Sequence, residues 1–238
     1  MQNIPFNTGV IRPVEVYKEA WNIIKSDYWM VFAVDIVGFI VAGAVPLVLV
    51  GPMMCGIYMV LLGKMKGQPV DFQKLFKGFD FFLPSLLLTV IIMLPFILLL
   101  IIFYIPIIAM TFLGGRMSES EFIAFIVALV VVELIVGLIM VCMHSLLLFA
   151  YPLMADKKLP ATECIKLSVR ACWSNIGGVV GMMGVGFLVC IIGYLMLCIG
   201  IYLVMPLIMM ATAVAYRKVF PANGSDGNFV PPALFGER

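Results

Sequence analysis

The sequence is poor in charge and nearly without histidine. Asp, Glu, Lys and Arg make up 12% of its 238 residues, while 64% are hydrophobic and the mean hydropathy is +1.17. A soluble domain carries about a quarter charged residues and is about half apolar. So few charges cannot coat the exterior of a water-soluble domain of this length, so the apolar excess has to face lipid. The lone His144 leaves histidine-dependent catalysis a single option inside an apolar run, and no nucleophile–base set with suitable spacing accompanies it. One histidine, no CxxC pair and widely spaced carboxylates exclude an ordinary metal site, and no cofactor motif is present. The net charge of +2, without a basic cluster, excludes a nucleic-acid binder. The first ten residues lack a basic n-region and an apolar h-region, so the first apolar span is expected to serve as the insertion signal.

Six cysteines, at positions 55, 142, 164, 172, 190 and 198, read as reduced packing residues. Cys164 and Cys172 fall on one helical face without further ligands nearby. The run Gly177-Gly178…Gly181…Gly184…Gly186 lacks a phosphate-loop lysine and lies in an apolar segment. Its Gly177 and Gly181 are expected to permit close helix approach instead.

What is abundant is long apolar sequence. A hydrocarbon core of about 30 Å is crossed by about 20 helical residues. Four stretches exceed this: 30–62 with Asp35 inside, 81–113 without charge, 122–154 with Glu133 and His144, and 176–216 without charge. The last holds two spans with a turn near 197–200. The first is expected to turn near Gly43–Pro46, with its return arm open to a break at Gly51-Pro52. Prolines 84, 95 and 106 are expected to kink the third span. Lys and Arg gather in cytoplasmic loops near span ends. With a turn in the first stretch, every basic residue except Arg116 falls on one side. The expectation is therefore an all-α, polytopic bundle of six spans, both termini cytoplasmic. Residues 1–220 form one transmembrane domain and 221–238 a disordered cytoplasmic tail rich in Pro, Gly and Asn.

A basic, amphipathic segment precedes each pair of spans. Val14, Tyr17, Trp21, Ile24 and Tyr28 recur at helical spacing opposite Glu15, Lys18, Asn22 and Lys25. Phe72, Phe76 and Phe79 share a side, among Gln73, Lys74 and Lys77; Ile165, Val169 and Cys172 oppose Glu163, Lys166 and Arg170. Such helices lie in the headgroup layer with Lys and Arg toward anionic phosphates. Overlaid, Lys25, Lys77 and Arg170 coincide, and the units 14–70, 71–159 and 160–220 read as a threefold repeat of interfacial helix plus transmembrane hairpin. Lys25, Lys74, Lys77, Lys166 and Arg170 are accordingly candidate contacts for anionic headgroups or for a protein partner, a second copy included.

Gly51-Pro52-Met53 through Gly56, then Gly67, Asp71-Phe72 and Leu75-Phe76-Lys77-Gly78-Phe79, resembles a segment shared by a bacterial six-span group. That group comprises YciC-like inner-membrane proteins and the membrane domain fused to some glycerophosphoryl diester phosphodiesterases. Residues 160–168, ending at Asn175, resemble its second signature. The resemblance, over roughly residues 14–217, implies a six-span bundle in the bacterial inner membrane and no settled activity. No stretch of these 238 residues resembles the phosphodiesterase catalytic domain, so its hydrolase chemistry is not expected to carry over.

Ionisable groups within a bilayer are costly and mark functional candidates. Glu133 and His144 lie about three turns apart on one helical face, roughly 16 Å along the axis. Asp35, Glu133 and His144 are the candidate polar track, with Glu133 as a proton or cation site and Asp35–His144 as an inner relay; a buried pair or a single interhelical hydrogen bond is the plainer alternative. Two functions are open: a non-enzymatic protein that moves or senses a small solute, ion or lipid, or an accessory subunit that organises a membrane complex. A lipid-modifying enzyme would need a catalytic set that the sequence does not display.

Overall fold

Val45 divides the first apolar run. Its backbone leaves the helical region (φ −139°, ψ 82°) immediately before Pro46, whose preset φ suits the first position of a new helix. The run therefore forms α2 (Tyr28–Ala44) and α3 (Pro46–Met65), and Pro52 is carried inside α3. The computed structural model describes residues 4–113, 118–196 and 199–221, and no strand occurs among them. The remaining elements are α1 (Pro13–Ile24), α4 (Phe72–Phe76) with a 3-10 turn (Lys77–Phe81), α5 (Phe82–Leu113), α6 (Glu119–Leu146), α7 (Ala150–Lys157), α8 (Ala161–Ser174), α9 (Ile176–Leu195) and α10 (Ile199–Val219). Five helices are long and apolar enough to cross a membrane, or six if α1 and α2, bent by 101°, count as one broken span. Arg116, Cys198 and the tail from 222, on which expectations about topology, thiols and disorder fell, lie outside the described residues.

α3 and α10 form the centre. α3 buries Met53, Ile57, Leu61 and their neighbours against α2, α5, α7 and α4, and α10 is buried almost throughout from Met209 to Val219. In lipid, helices are held by close packing rather than by exclusion from water, so small residues sit where backbones cross. Gly56 and Gly78 are such a crossing. A Cβ on Gly56 would strike the carbonyl of Leu75, and one on Gly78 the carbonyl of Pro52. Gly51 stands likewise against the backbone of Ser85 on α5.

That crossing shapes the second basic segment, which is a five-residue helix plus a 3-10 turn rather than one amphipathic helix. It buries Leu75 and Gly78 and leaves Phe76 and Phe79 exposed. The first segment is helical, and one side of it packs into the bundle. Val16, Tyr17, Ala20 and Ile24 are buried against α10 and α9, whereas Val14 and Trp21 are 56% and 48% exposed. Glu15, Lys18, Asn22 and Lys25 are exposed as expected. The glycines of α9 also serve another partner. Gly178 and Gly181 face Ile11 and Pro13, and Gly186 faces the Tyr17 hydroxyl, while Gly177 faces open space. The chain's own N-terminal segment fills that groove.

The third apolar run, 122–154, breaks without proline or glycine at the break. α6 ends at Leu146 and α7 starts at Ala150. Ser168 of α8 holds the gap: its hydroxyl donates to the Leu146 carbonyl (2.9 Å) and accepts from the Phe149 N–H (3.1 Å). Asn175, between α8 and α9, ties down the N-terminal segment. Its carboxamide accepts from Gly9 N–H (2.7 Å) and donates to the carbonyl of Asn7 (3.1 Å). Asn7 N–H in turn reaches the Val219 carbonyl at 2.8 Å. Both residues belong to the second signature quoted above, and both satisfy backbone groups that a helix break would otherwise orphan.

Candidate functional site

Burying polar groups in a helix bundle obliges each to find a partner. The buried Ser85, Thr89, Ser145 and Thr212 donate to carbonyls three or four residues earlier on their own helices. Ser168 and Asn175 bridge breaks, and Arg217 is paired. Asp35 is the exception: it is 1% exposed, and neither carboxyl oxygen has a hydrogen-bond partner among the described residues. It lies on α2 in the packed region that α2 shares with α3 and α10. Tyr28 and Tyr58 are within electrostatic range of it. Both direct their hydroxyls elsewhere, Tyr28 to the Leu203 carbonyl and Tyr58 toward Met209 Sδ at 3.9 Å. The carboxyl is left buried, with no ion-pair partner among the described residues.

The structure does not bring Asp35, Glu133 and His144 into one track. Glu133 and His144 are both on α6, where no residue between 119 and 144 is buried. Glu133 belongs to a partly shielded stripe with Phe125, Leu129, Val136, Met140 and Met143, the side of α6 turned toward its neighbours. His144 is exposed at the rim of a small apolar recess lined by Ile92, Pro95 and Phe96. Asp35 and His144 are not hydrogen-bonded to each other, and Asp35 has no hydrogen-bond partner among the described residues.

A second polar region occupies one end of the bundle. Lys64, at the end of α3, pairs with Asp27, just before α2, so the two helices run back upon each other. Lys218 at the end of α10 pairs with Glu19 of α1 at 2.8 Å. Beside it, Arg217 grips Asp156 with both terminal nitrogens (3.0 and 2.6 Å), and Tyr216 donates to the same carboxylate at 2.8 Å. Asp156 and Tyr216 were not singled out from the sequence. An acidic residue directly before Lys157-Lys158 at a span end was the available signal.

Next to this pair opens a cleft of about 270 Å3, lined by Lys66, Gln68, Lys74, Lys77, Asp156 and Arg217. Lys74 is held by the side-chain carbonyl of Gln68 at 2.7 Å. Of the other candidate contacts, Lys25 is exposed and bonded to Asn22. Lys166 is exposed on α8, and Arg170 lies over the Phe6 ring at 5.7 Å. Among the described residues, Lys74 and Lys77 are therefore the two of the five that line this open cleft. Cys164 and Cys172 are both buried within α8, and among the described residues no three His, Cys, Asp or Glu side chains gather to hold a metal. Compared with family models, with curated proteins and with solved structures, the chain matches none.

Proposed function

We propose that this chain is a six-span, non-enzymatic protein of the bacterial inner membrane, with termini and basic end cytoplasmic, that senses or moves a small ion, solute or lipid. The observation that carries this reading is Asp35. A carboxyl enclosed by α2, α3 and α10 with both oxygens unpartnered is expensive to retain for packing alone, and such groups in spans mark proton or cation sites. A proton or a small cation arriving there is what would satisfy it. The gathering of Lys64, Lys66, Lys74, Lys77, Arg217 and Lys218 at one end supports that end as cytoplasmic. The bacterial inner membrane and the three-hairpin arrangement with interfacial helices rest on the resemblance and the charge pattern.

The test is infrared difference spectroscopy on the reconstituted protein as pH or cation is stepped. The expected result is a carboxylic-acid band that changes in the wild type and is missing in Asp35→Asn, with helix content equal in both. Identical difference spectra for the two proteins would sink the reading.

A second reading, an accessory subunit, is favoured by α6. Its apolar surface lies open, and Glu133 sits only half-shielded within it. A partner helix over that stripe would complete its shielding. On this reading a partner is lost when Glu133 or its neighbours are changed; if the protein transports, Asp35→Asn instead abolishes flux in vesicles, with the partner-free stripe of α6 indifferent.

A further inference from the structure

We propose that the cleft between α3, α4, α7 and α10 is a binding site for a phosphate group, either the phosphodiester of an anionic lipid or a free phosphate. The proposal is independent of any role for Asp35. Four cationic side chains, Lys66, Lys74, Lys77 and Arg217, line a space of about 270 Å3 that contains one carboxylate, Asp156. That volume is ample for a phosphate and a glycerol-sized substituent.

Charge bookkeeping within the cleft favours an outside anion. Asp156 is already engaged by both guanidinium nitrogens of Arg217, by the Tyr216 hydroxyl, and by Lys157 at 3.5 Å. It has no capacity left to neutralise the lysines. Lys74 has only the neutral Gln68 oxygen, and Lys77 has no ionic partner among the described residues. The charges of Lys74 and Lys77 therefore meet no carboxylate among the described residues. Lysine and arginine donors converging from separate segments are what a tetrahedral anion with several acceptor oxygens requires.

The surroundings fit a ligand with an apolar part. Met59, Leu62 and Ala155 form an apolar wall to the same cleft, and Phe76 and Phe79, on either side of Lys77, are exposed. Exposed aromatic rings beside lysines are the arrangement found at the headgroup level of a bilayer. The fixed elements also matter. The Gly56–Gly78 crossing locks the 3-10 turn carrying Lys77 onto α3, and the Arg217–Asp156 pair joins α10 to α7, so the donors are held rather than merely near each other.

The test uses the full chain in nanodiscs of phosphatidylcholine doped with phosphatidylglycerol, with retained lipid counted by native mass spectrometry. A parallel thermal-shift titration uses inorganic phosphate. The cleft variant is Lys74→Gln with Lys77→Gln; both lysines lie outside the core, so folding is preserved and is checked by circular dichroism. The control is Lys18→Gln with Lys158→Gln, which removes the same charge elsewhere. Retention of phosphatidylglycerol that falls at least tenfold in the cleft variant and holds in the control assigns a lipid headgroup. A phosphate-dependent stabilisation lost only in the cleft variant, without lipid selectivity, assigns a free phosphate. Binding unchanged in the cleft variant, or reduced equally in the control, overturns the site.

Discussion

Arg217 holds Asp156 with two parallel hydrogen bonds, and the side chains of both are less than a tenth exposed. This pair joins the last helix to the short helix after the α6 break, with Tyr216 closing it from one side. A bidentate pair of this kind is stable only while both members are present, because either one alone leaves an uncompensated charge. Asp156→Ala is expected to cost about 3–5 kcal/mol, and Lys157→Ala less than about 1 kcal/mol. Reversible unfolding in mixed micelles measures both. Equal costs for the two would show that proximity to the end of α7, not the buried pair, sets the stability there.

The Asp27–Lys64 pair makes an acid-sensitive link between α2 and α3. The hydrogen bond from Lys64, and then that from Ser26, hold the Asp27 carboxyl below its usual range. A lowered folded-state value means that the link contributes fully above the ordinary aspartate range, near pH 4, and is lost as pH falls further through the folded-state value. The thermal midpoint of the wild type should therefore drop below about pH 4 more steeply than that of Asp27→Asn, and the two curves should run parallel near neutrality. Because Asp27 is solvent-facing, added salt should narrow the gap.

Gly56 and Gly78 are expected to be intolerant of any side chain, since the atoms in the way are backbone carbonyls. Gly56→Ala should cost at least the roughly 1–3 kcal/mol typical of overpacking. Gly137→Ala, which meets nothing within 4 Å, should instead gain about 0.5–1 kcal/mol from helix propensity. The signs, compared in one unfolding assay, decide the matter: a neutral Gly56→Ala would mean that α3 and α4 separate readily.

Ser168→Ala would leave the Leu146 carbonyl and the Phe149 N–H without a partner, at a cost of about 1–3 kcal/mol. Ser168→Thr, which keeps the hydroxyl, should recover part of this. Hydrogen exchange at Phe149 is the direct readout, and protection unchanged in the alanine variant would contradict the assignment.

The apolar runs, and the breaks at Val45 and between α9 and α10, were legible because proline and glycine stand at them and because charge marks their ends. The α6–α7 break was not, since nothing in residues 147–149 disfavours a helix; a serine on another helix makes it stable. The face of α1 that packs into the bundle was not legible for a related reason. Val14 and Trp21 match helical spacing as well as Val16 and Ala20 do, and only the groove of Gly178 and Gly181 selects the small-residue face. Asp35 was found as a lone acid in an apolar run, but its isolation depends on where two tyrosines point. The cleft was half-visible: Lys74 and Lys77 stood out, while Asp156 and Arg217 join them only through folding.

The anchoring of Asn7 has a consequence for the order of events during synthesis. Its side chain donates to the Lys218 carbonyl and its backbone to Val219, partners made more than two hundred peptide bonds later. Ile11 and Pro13 likewise require α9 before their groove exists. These contacts of Asn7 therefore cannot form until α10 has been made. A chain that ends before α10 would leave Asn7 without these partners, so α10 acts as the clasp of the N-terminal segment.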